Sequence, residues 1–305
     1  MAISKVRVQI NGTWTTLTYN STSGAYEATI TAPTTTSFNM TGGYYPVTVE
    51  ATNTAGTVTT VNDTHATLGN SCKLRVQETV KPTVTIASPT SGARVTNNKQ
   101  PVVFNVVDET SGSGIDIQSV IVQLDDREQN DLTLEKTAIT NGYRYTFVPG
   151  TALSDGDHRF SAQVSDNDGN TSTIVSIVFT VDTVAPTLNI TSPAEGLITS
   201  SVSIVVSGTT NDATSSPVTV TLQLDGGTAQ AVTVASNGSF TSTLSSLKDG
   251  SHKVVIVAKD AAGKTTSVTR NFTVDTSKPV ISSITISPNP TSTGTTMTIK
   301  VVVTG

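Results

Sequence analysis

The sequence predicts an all-β chain built from tandem β-sandwich modules. Three observations point there: β-branched residues alternate with polar ones, helix-forming runs are missing, and whole phrases recur at a module-sized interval. Val and Ile dominate the apolar residues and stand among Thr. Such side chains are stiff at χ1 and suit a pleated, half-buried surface better than a helix. In one strand Val218, Val220, Leu222 and Leu224 face one way, while Thr219, Thr221 and Gln223 face the other. The chain has only seven Glu, none after Glu195, and no Glu, Leu and Ala run at helical spacing. Turns are marked at Asn141-Gly142, Asn237-Gly238 and Asp249-Gly250, pairs that tolerate positive φ.

Repetition sets the domain organisation. VKPTVTIASPTSG begins at Val80, VAPTLNITSPAEG at Val184 and SKPVISSITISPNP at Ser277, with Pro82, Pro186 and Pro279 spaced by 104 and then 93 residues. LSDGDHRFSAQVSDNDGNTS from Leu153 is echoed by LKDGSHKVVIVAKDAAGKTTS from Leu247. The expected modules are therefore 81–183 and 184–276, joined by linkers too short to be floppy tethers. Residues 1–80 match only the later part of the repeat and are expected to form a partial domain lacking its first two strands. Residues 277–305 hold the first two strands of a further unit. One expectation is that residues 277–305 complete residues 1–80 of another copy by strand addition, a heterologous contact that gives a ring or fibre. A chain cut through the module at the same boundary accounts for both ends equally well.

Charge and composition exclude several functions. A net charge of −5, with no Lys/Arg stripe, argues against nucleic acid. No run approaches the roughly 20 apolar residues of a membrane span, so no membrane insertion is expected. The opening MAISKVRVQING has neither the basic nor the apolar region of a secretory signal. Cys72 stands alone, which excludes an intrachain disulfide, and reads as a small apolar residue in a strand. The chain is thus either made and kept in the cytoplasm before release, or a piece of something exported.

No catalytic residue, cofactor site or metal ligand is assigned. His158 and His252 follow the two Asp-Gly pairs at the same repeat position, where the first segment has Tyr45, so they read as turn-fastening residues. His65 lies in the polar stretch NDTHATLGNS and reads as a solvated loop residue. The sequence carries neither a His-Glu-x-x-His pattern nor a Gly-rich phosphate loop. The best candidate for calcium is Asp166-Asn167-Asp168-Gly169-Asn170, where oxygen ligands alternate, and Asp182 and Asp275 near the linkers could add ligands. Ordinary Asp/Asn turn chemistry accounts for the loop without an ion. The equivalent loops are Asp260-Ala261-Ala262-Gly263 and Asn53-Thr54-Ala55-Gly56, where a ligand set needing several carboxylates is not expected to form. The stretch from Val106, VVDETSGSGID, reads as a Gly/Ser-rich turn. Trp14, Tyr19, Tyr26, Tyr44 and Tyr45 concentrate in the first segment, either as a sugar-stacking face or as core. The hydrophilic stretch from Asp125 to Thr140 reads as a surface hairpin extension.

The phrases FTVDT-x-x-P, SP-x-x-G, and DG-x-H followed by D-x-x-G resemble the bacterial immunoglobulin-like domains found in tandem in surface adhesins and in structural proteins of tailed bacteriophages. The resemblance covers essentially the whole chain. It implies tandem immunoglobulin-like β-sandwich domains in an elongated rod, without enzymatic activity. The partial first unit and the lack of an export signal favour the bacteriophage type. That reading makes the chain a virion structural and adhesion protein on tail or capsid, with other virion proteins or host-surface and mucus glycans as partners. The alternative is a stalk or adhesin fragment of a bacterial cell-surface protein.

Overall fold

A computed structural model describes residues 2–129 and 134–305 of the chain. Part of the expected extension from Asp125, residues 130–133, lies outside the described residues. Among the described residues the only helix is a single 3₁₀ turn, Gly69–Cys72, and every other element is a strand. Among the described residues no helix is long and apolar enough to cross a membrane. The chain divides into two compact units, Met1–Ala93 with Asn98–Thr180, and Arg94–Asn97 with Val181–Gly305.

The first unit opens on one antiparallel sheet. Its strands run in the order Ala25–Glu27, Thr13–Asn20, Ile3–Ile10, Tyr45–Asn53, Val58–Val61, with Lys73–Leu74 also pairing Tyr45–Asn53. Val6 and Val8 are buried under it. Next come the two sheets of a sandwich. One has the order Glu135–Ile139, Gly142–Phe147, Val102–Val107, Thr83–Ser88; the other includes Arg127–Glu128, Ile121–Leu124, Gly156–Gln163 and Val175–Val181. Val102, Phe104 and Val106 alternate with half-buried neighbours. Phe104 lies 5.3 Å from the Tyr145 ring and 5.7 Å from Phe160, so aromatic contact joins the two layers.

The second unit repeats this plan. Thr187–Ser192, Ile204–Asn211 and Ser239–Leu244 form one sheet. The facing sheet runs Leu197–Thr199, Thr265–Val274, Gly250–Lys259, Thr219–Leu224, Gln230–Val232, and its first pair is parallel. Val218, Val220 and Leu222 are buried and Leu224 packs against them, as the alternation predicts. Val206, Phe240, Val254, Ile256 and Phe272 complete this core.

Two glycines are dictated by close approach. A Cβ on Gly142 would sit 2.0 Å from the Val106 carbonyl oxygen, and one on Gly238, at φ +81°, would sit 2.2 Å from that of Thr210. Each turn therefore tucks its strand against its neighbour in the sheet, Val102–Val107 in one case and Ile204–Asn211 in the other. Asn141 takes the positive φ, 57°, that its pair was expected to tolerate.

Elsewhere the pairing departs from repeat logic. Ser239–Leu244 pairs with Ile204–Asn211, but the aligned strand Ala25–Glu27 pairs with Thr13–Asn20 in a single sheet. With no opening strands in that segment, a hairpin partner satisfies its backbone instead. Cys72 is buried as expected, though it ends the 3₁₀ turn and is not in a strand. Val280–Ser287 and Thr298–Thr304 form an antiparallel hairpin, with every residue of both strands exposed, including Ile281, Ile284, Ile299 and Val301.

The fully buried Ile256 gives a direct check of the second core. Ile256→Ala should cost about 2–5 kcal/mol in urea unfolding, whereas Ile284→Ala in the exposed hairpin should cost less than about 0.5 kcal/mol.

Candidate functional site

Two corners recur with the same atoms. Asp125 and Asp225 both take positive φ, at 52° and 49°. The Asp225 amide donates to the Lys253 carbonyl, and the Lys253 amide returns to Asp225 Oδ1, each at 2.8 Å. His252 Nδ1 meets Asp225 Oδ2 at 2.8 Å, and its Nε2 meets the Lys248 carbonyl at 2.8 Å. His158 does the same with Asp125 Oδ2 and the Ser154 carbonyl, both at 2.8 Å. Both ring nitrogens thus face acceptors, an arrangement that suits the doubly protonated ring. In the first segment the Tyr45 hydroxyl donates to the Thr35 carbonyl at 3.2 Å. The expected turn-fastening residues are therefore seen fastening turns, and each imidazole is held at both ends.

Two carboxylate clusters are the other concentration of titratable groups. In the second unit Asp182, Asp212 and Asp260 place carboxylate oxygens within 4.8 Å of one another, and all three are buried. Each spends Oδ1 on backbone amides. Asp182 takes that of Val184 at 3.1 Å, and Asp260 that of Lys264 at 2.9 Å. Asp212 takes those of Thr214 at 2.8 Å and Ser215 at 2.6 Å. Asp182 Oδ2, Asp260 Oδ2 and the buried Ser215 hydroxyl have no hydrogen-bond partner.

In the first unit Glu78, Asp108 and Glu109 gather within the same distance, with Asp108 Oδ1 and Glu109 Oε2 unpartnered. Burial, and then a hydrogen bond with the Asp166 carboxyl, push Glu78 up to about 7. Burial and the neighbouring Asp108 likewise raise Glu109.

These positions correct the loop-by-loop expectation. Asp260 sits in a loop poor in carboxylates, yet the fold brings it to Asp182 and Asp212. Asp212 is not among the residues the sequence singles out, and Asp108 and Glu109 lie in the stretch that reads as a Gly/Ser-rich turn. The signal is present in the repeat: Asp108 and Asp212 each follow its second sheet strand, Val102–Val107 or Ile204–Asn211, and Glu78 and Asp182 precede the same Val-x-Pro phrase. Within Asp166–Asn170, Asp166 accepts the amides of Asp168 and Asn170, each at 2.9 Å, closing the turn on itself. Asp168 instead accepts the Thr36 hydroxyl and the Glu78 amide. Asp275 accepts the Ser277 amide at 3.0 Å and stands outside both clusters.

The aromatics of the first segment do not make one platform. Trp14 and Tyr19 lie an odd number of places apart on strand Thr13–Asn20, hence on opposite faces. Trp14 is exposed and carries the Arg7 guanidinium 4.1 Å from its ring centre; Tyr19 pairs with Tyr26, centroids 5.3 Å apart. Only Tyr45 is core. His65 is exposed, and its Nδ1 accepts the Leu68 amide at 3.2 Å.

Comparison with known proteins follows the same division. Residues 78–183 match the family profile described as Bacterial Ig-like domain, and residues 186–276 match Glucodextranase, domain B. The two sandwiches are immunoglobulin-like modules in tandem. Among curated proteins the chain is 32% identical over 145 residues to Halomucin of Haloquadratum walsbyi, covering 46% of this chain and 2% of that protein. It is 29% identical over 139 residues to Bacillopeptidase F of Bacillus subtilis, covering 46% of this chain and 9% of that one. The chain thus spans a small fraction of the relatives it matches. Among solved structures it is similar to the CbhA fibronectin(III)-like modules of Clostridium thermocellum, at 17% identity and TM-score 0.38, covering 63% of this chain and 94% of that one.

The histidine corner of these immunoglobulin-like modules has a pH signature. Its hydrogen bond to Asp225, followed by that to the Lys248 carbonyl, raises His252 above its ordinary value. In His158 burial opposes the charge, and the Ser154 carbonyl and Asp125 carboxylate outweigh it. A raised imidazole stabilises fully below the unfolded value of about 6.5, and that stability is lost as pH rises through the folded value. The His252 ring should therefore titrate by NMR with a midpoint above 6.5, and Asp225→Asn should lower it. With Asp225 partly open to solvent, the stability lost across that window is about 0.5–1 kcal/mol.

Proposed function

We propose that this chain is a non-enzymatic spacer and adhesion segment of a cell-surface or secreted protein, its modules serving as repeated structural units. The carrying observation is that the side chains best suited to acid–base chemistry, His158 and His252, are copied from module to module and used at both nitrogens in structural hydrogen bonds. A catalytic imidazole needs one nitrogen free to exchange a proton with substrate. The comparisons favour the surface or secreted alternative over the virion reading, because the relatives matched are Halomucin and Bacillopeptidase F, each far longer than the stretch it shares with this chain. Attachment to glycans, where it occurs, is multivalent and weak per module.

Self-association is the partner reading that a specific observation favours. The hairpin of residues 277–305 exposes apolar side chains on both faces, and the first segment presents the open strand Ala25–Glu27. Strand addition between residues 277–305 of one copy and 1–80 of another covers both.

Force spectroscopy of the full chain tests the spacer role. Two separate unfolding events, each releasing roughly 30 nm of chain, are expected; collapse in one early, low-force step overturns it. Beads bearing the chain, flowed over mucin-coated glass, test adhesion. Retention should climb steeply with bead density, and no retention at any density removes adhesion and leaves the spacer. Light scattering of the full chain beside one ending at Thr276 tests strand addition, which requires a larger mass for the full chain only.

A further inference from the structure

We propose that Asp182, Asp212 and Asp260 form a calcium-binding site within the second unit. The inference stands apart from the spacer role and does not depend on it. Three carboxylates within 4.8 Å repel one another when ionised. Burial removes the water that would screen them, Asp182 being 0% exposed, Asp260 4% and Asp212 7%. Among the described residues no Lys, Arg or His forms an ion pair with any of the three. Asp182 Oδ2 and Asp260 Oδ2 also lack any hydrogen-bond donor. A buried carboxylate without a counter-charge is costly, and a cation held among the three offsets that cost.

The backbone favours the cation. Amide donors from Val184, Thr214, Ser215 and Lys264 grip one oxygen of each carboxylate and orient the other oxygens. Bonds of this kind stabilise the charged form and act as the outer partners that position metal ligands. All the candidate donors are oxygens: three carboxylates and, in the Asp212 loop, the Ser215 hydroxyl, itself buried and without a partner. With neither His nor Cys in the cluster, zinc and other softer metals have no suitable donor set. Calcium accepts six to eight oxygens in irregular geometry, whereas magnesium demands a near-ideal octahedron. The cluster draws on three separate segments, which suits calcium. Bound there, the ion fastens Asp182 to the loops of Asp212 and Asp260 within the same compact unit.

The cluster of Glu78, Asp108 and Glu109, with its own unpartnered oxygens, predicts a second ion in the first unit. The test is calorimetric titration of the EDTA-stripped full chain with calcium chloride at neutral pH, beside Asp260→Asn and Asp108→Asn, with melting followed in parallel. The wild-type chain should bind two ions, with magnesium at least tenfold weaker, and calcium should raise its melting temperature. Asp260→Asn should lose one ion while melting in EDTA no lower than wild type, because removing a like charge relieves repulsion. That second readout separates a lost ligand from a lost fold. Asp108→Asn should lose the other ion and keep the Asp260 one. Absence of binding at millimolar calcium overturns the proposal, as does calcium binding that Asp260→Asn leaves unchanged.

Discussion

A sheet with one apolar face must lay that face against a second sheet, and most of this chain follows from that constraint. Hydrophobic burial contributes roughly 25 cal/mol per Å² of apolar surface, and strands with a two-residue period can offer it on one side only. In Val102–Val107 the pattern meets a facing layer of Phe160 and Phe179, and in Ile204–Asn211 it meets Val254, Ile256 and Phe272. The same opening pair at Val280–Ser287 and Thr298–Thr304 has no facing layer, and its Ile and Val side chains stay exposed. Two strands alone are marginal in water, so the same local sequence has a different energetic standing with and without its partner sheet.

With the faces of the sheets committed to packing, the loops carry most of the buried electrostatics. The aspartates gather where strands end, and among the described residues only Asp157 lies within one. There the backbone has amides without ladder partners, and a short carboxylate reaches them. Asp125, Asp225, Asp166 and Asp260 each hold a turn through Oδ1. The second oxygen is then free for another task. In Asp125 and Asp225 it meets the histidine; in Asp182 and Asp260 it stays unpartnered among other carboxylates. One structural device thus produces both the imidazole corners and the carboxylate clusters.

This economy bears on function. Titratable groups that serve turns first, and recur in each module, accord with the spacer role proposed above. Where a module differs from its neighbour, as in Glu109 beside Asp108 against Ala213 beside Asp212, the difference falls in a loop and leaves the core untouched.

The sequence by itself determined the strands, the facing of their side chains and the repeated modules, because period-two alternation and turn pairs are local properties of the chain. It also determined that His158 and His252 play one role, since repetition is visible without coordinates. Tertiary structure alone decided which distant aspartates meet. Asp182, Asp212 and Asp260 come from three segments: the loop Asp260-Ala261-Ala262-Gly263 offers one carboxylate, and the fold assembles three. It likewise decided that Trp14 is exposed beside Arg7 and that Ala25–Glu27 joins the hairpin sheet. The physical reason is common to these cases: which strand or loop lies beside another depends on how whole sheets cover one another, and no local pattern encodes that.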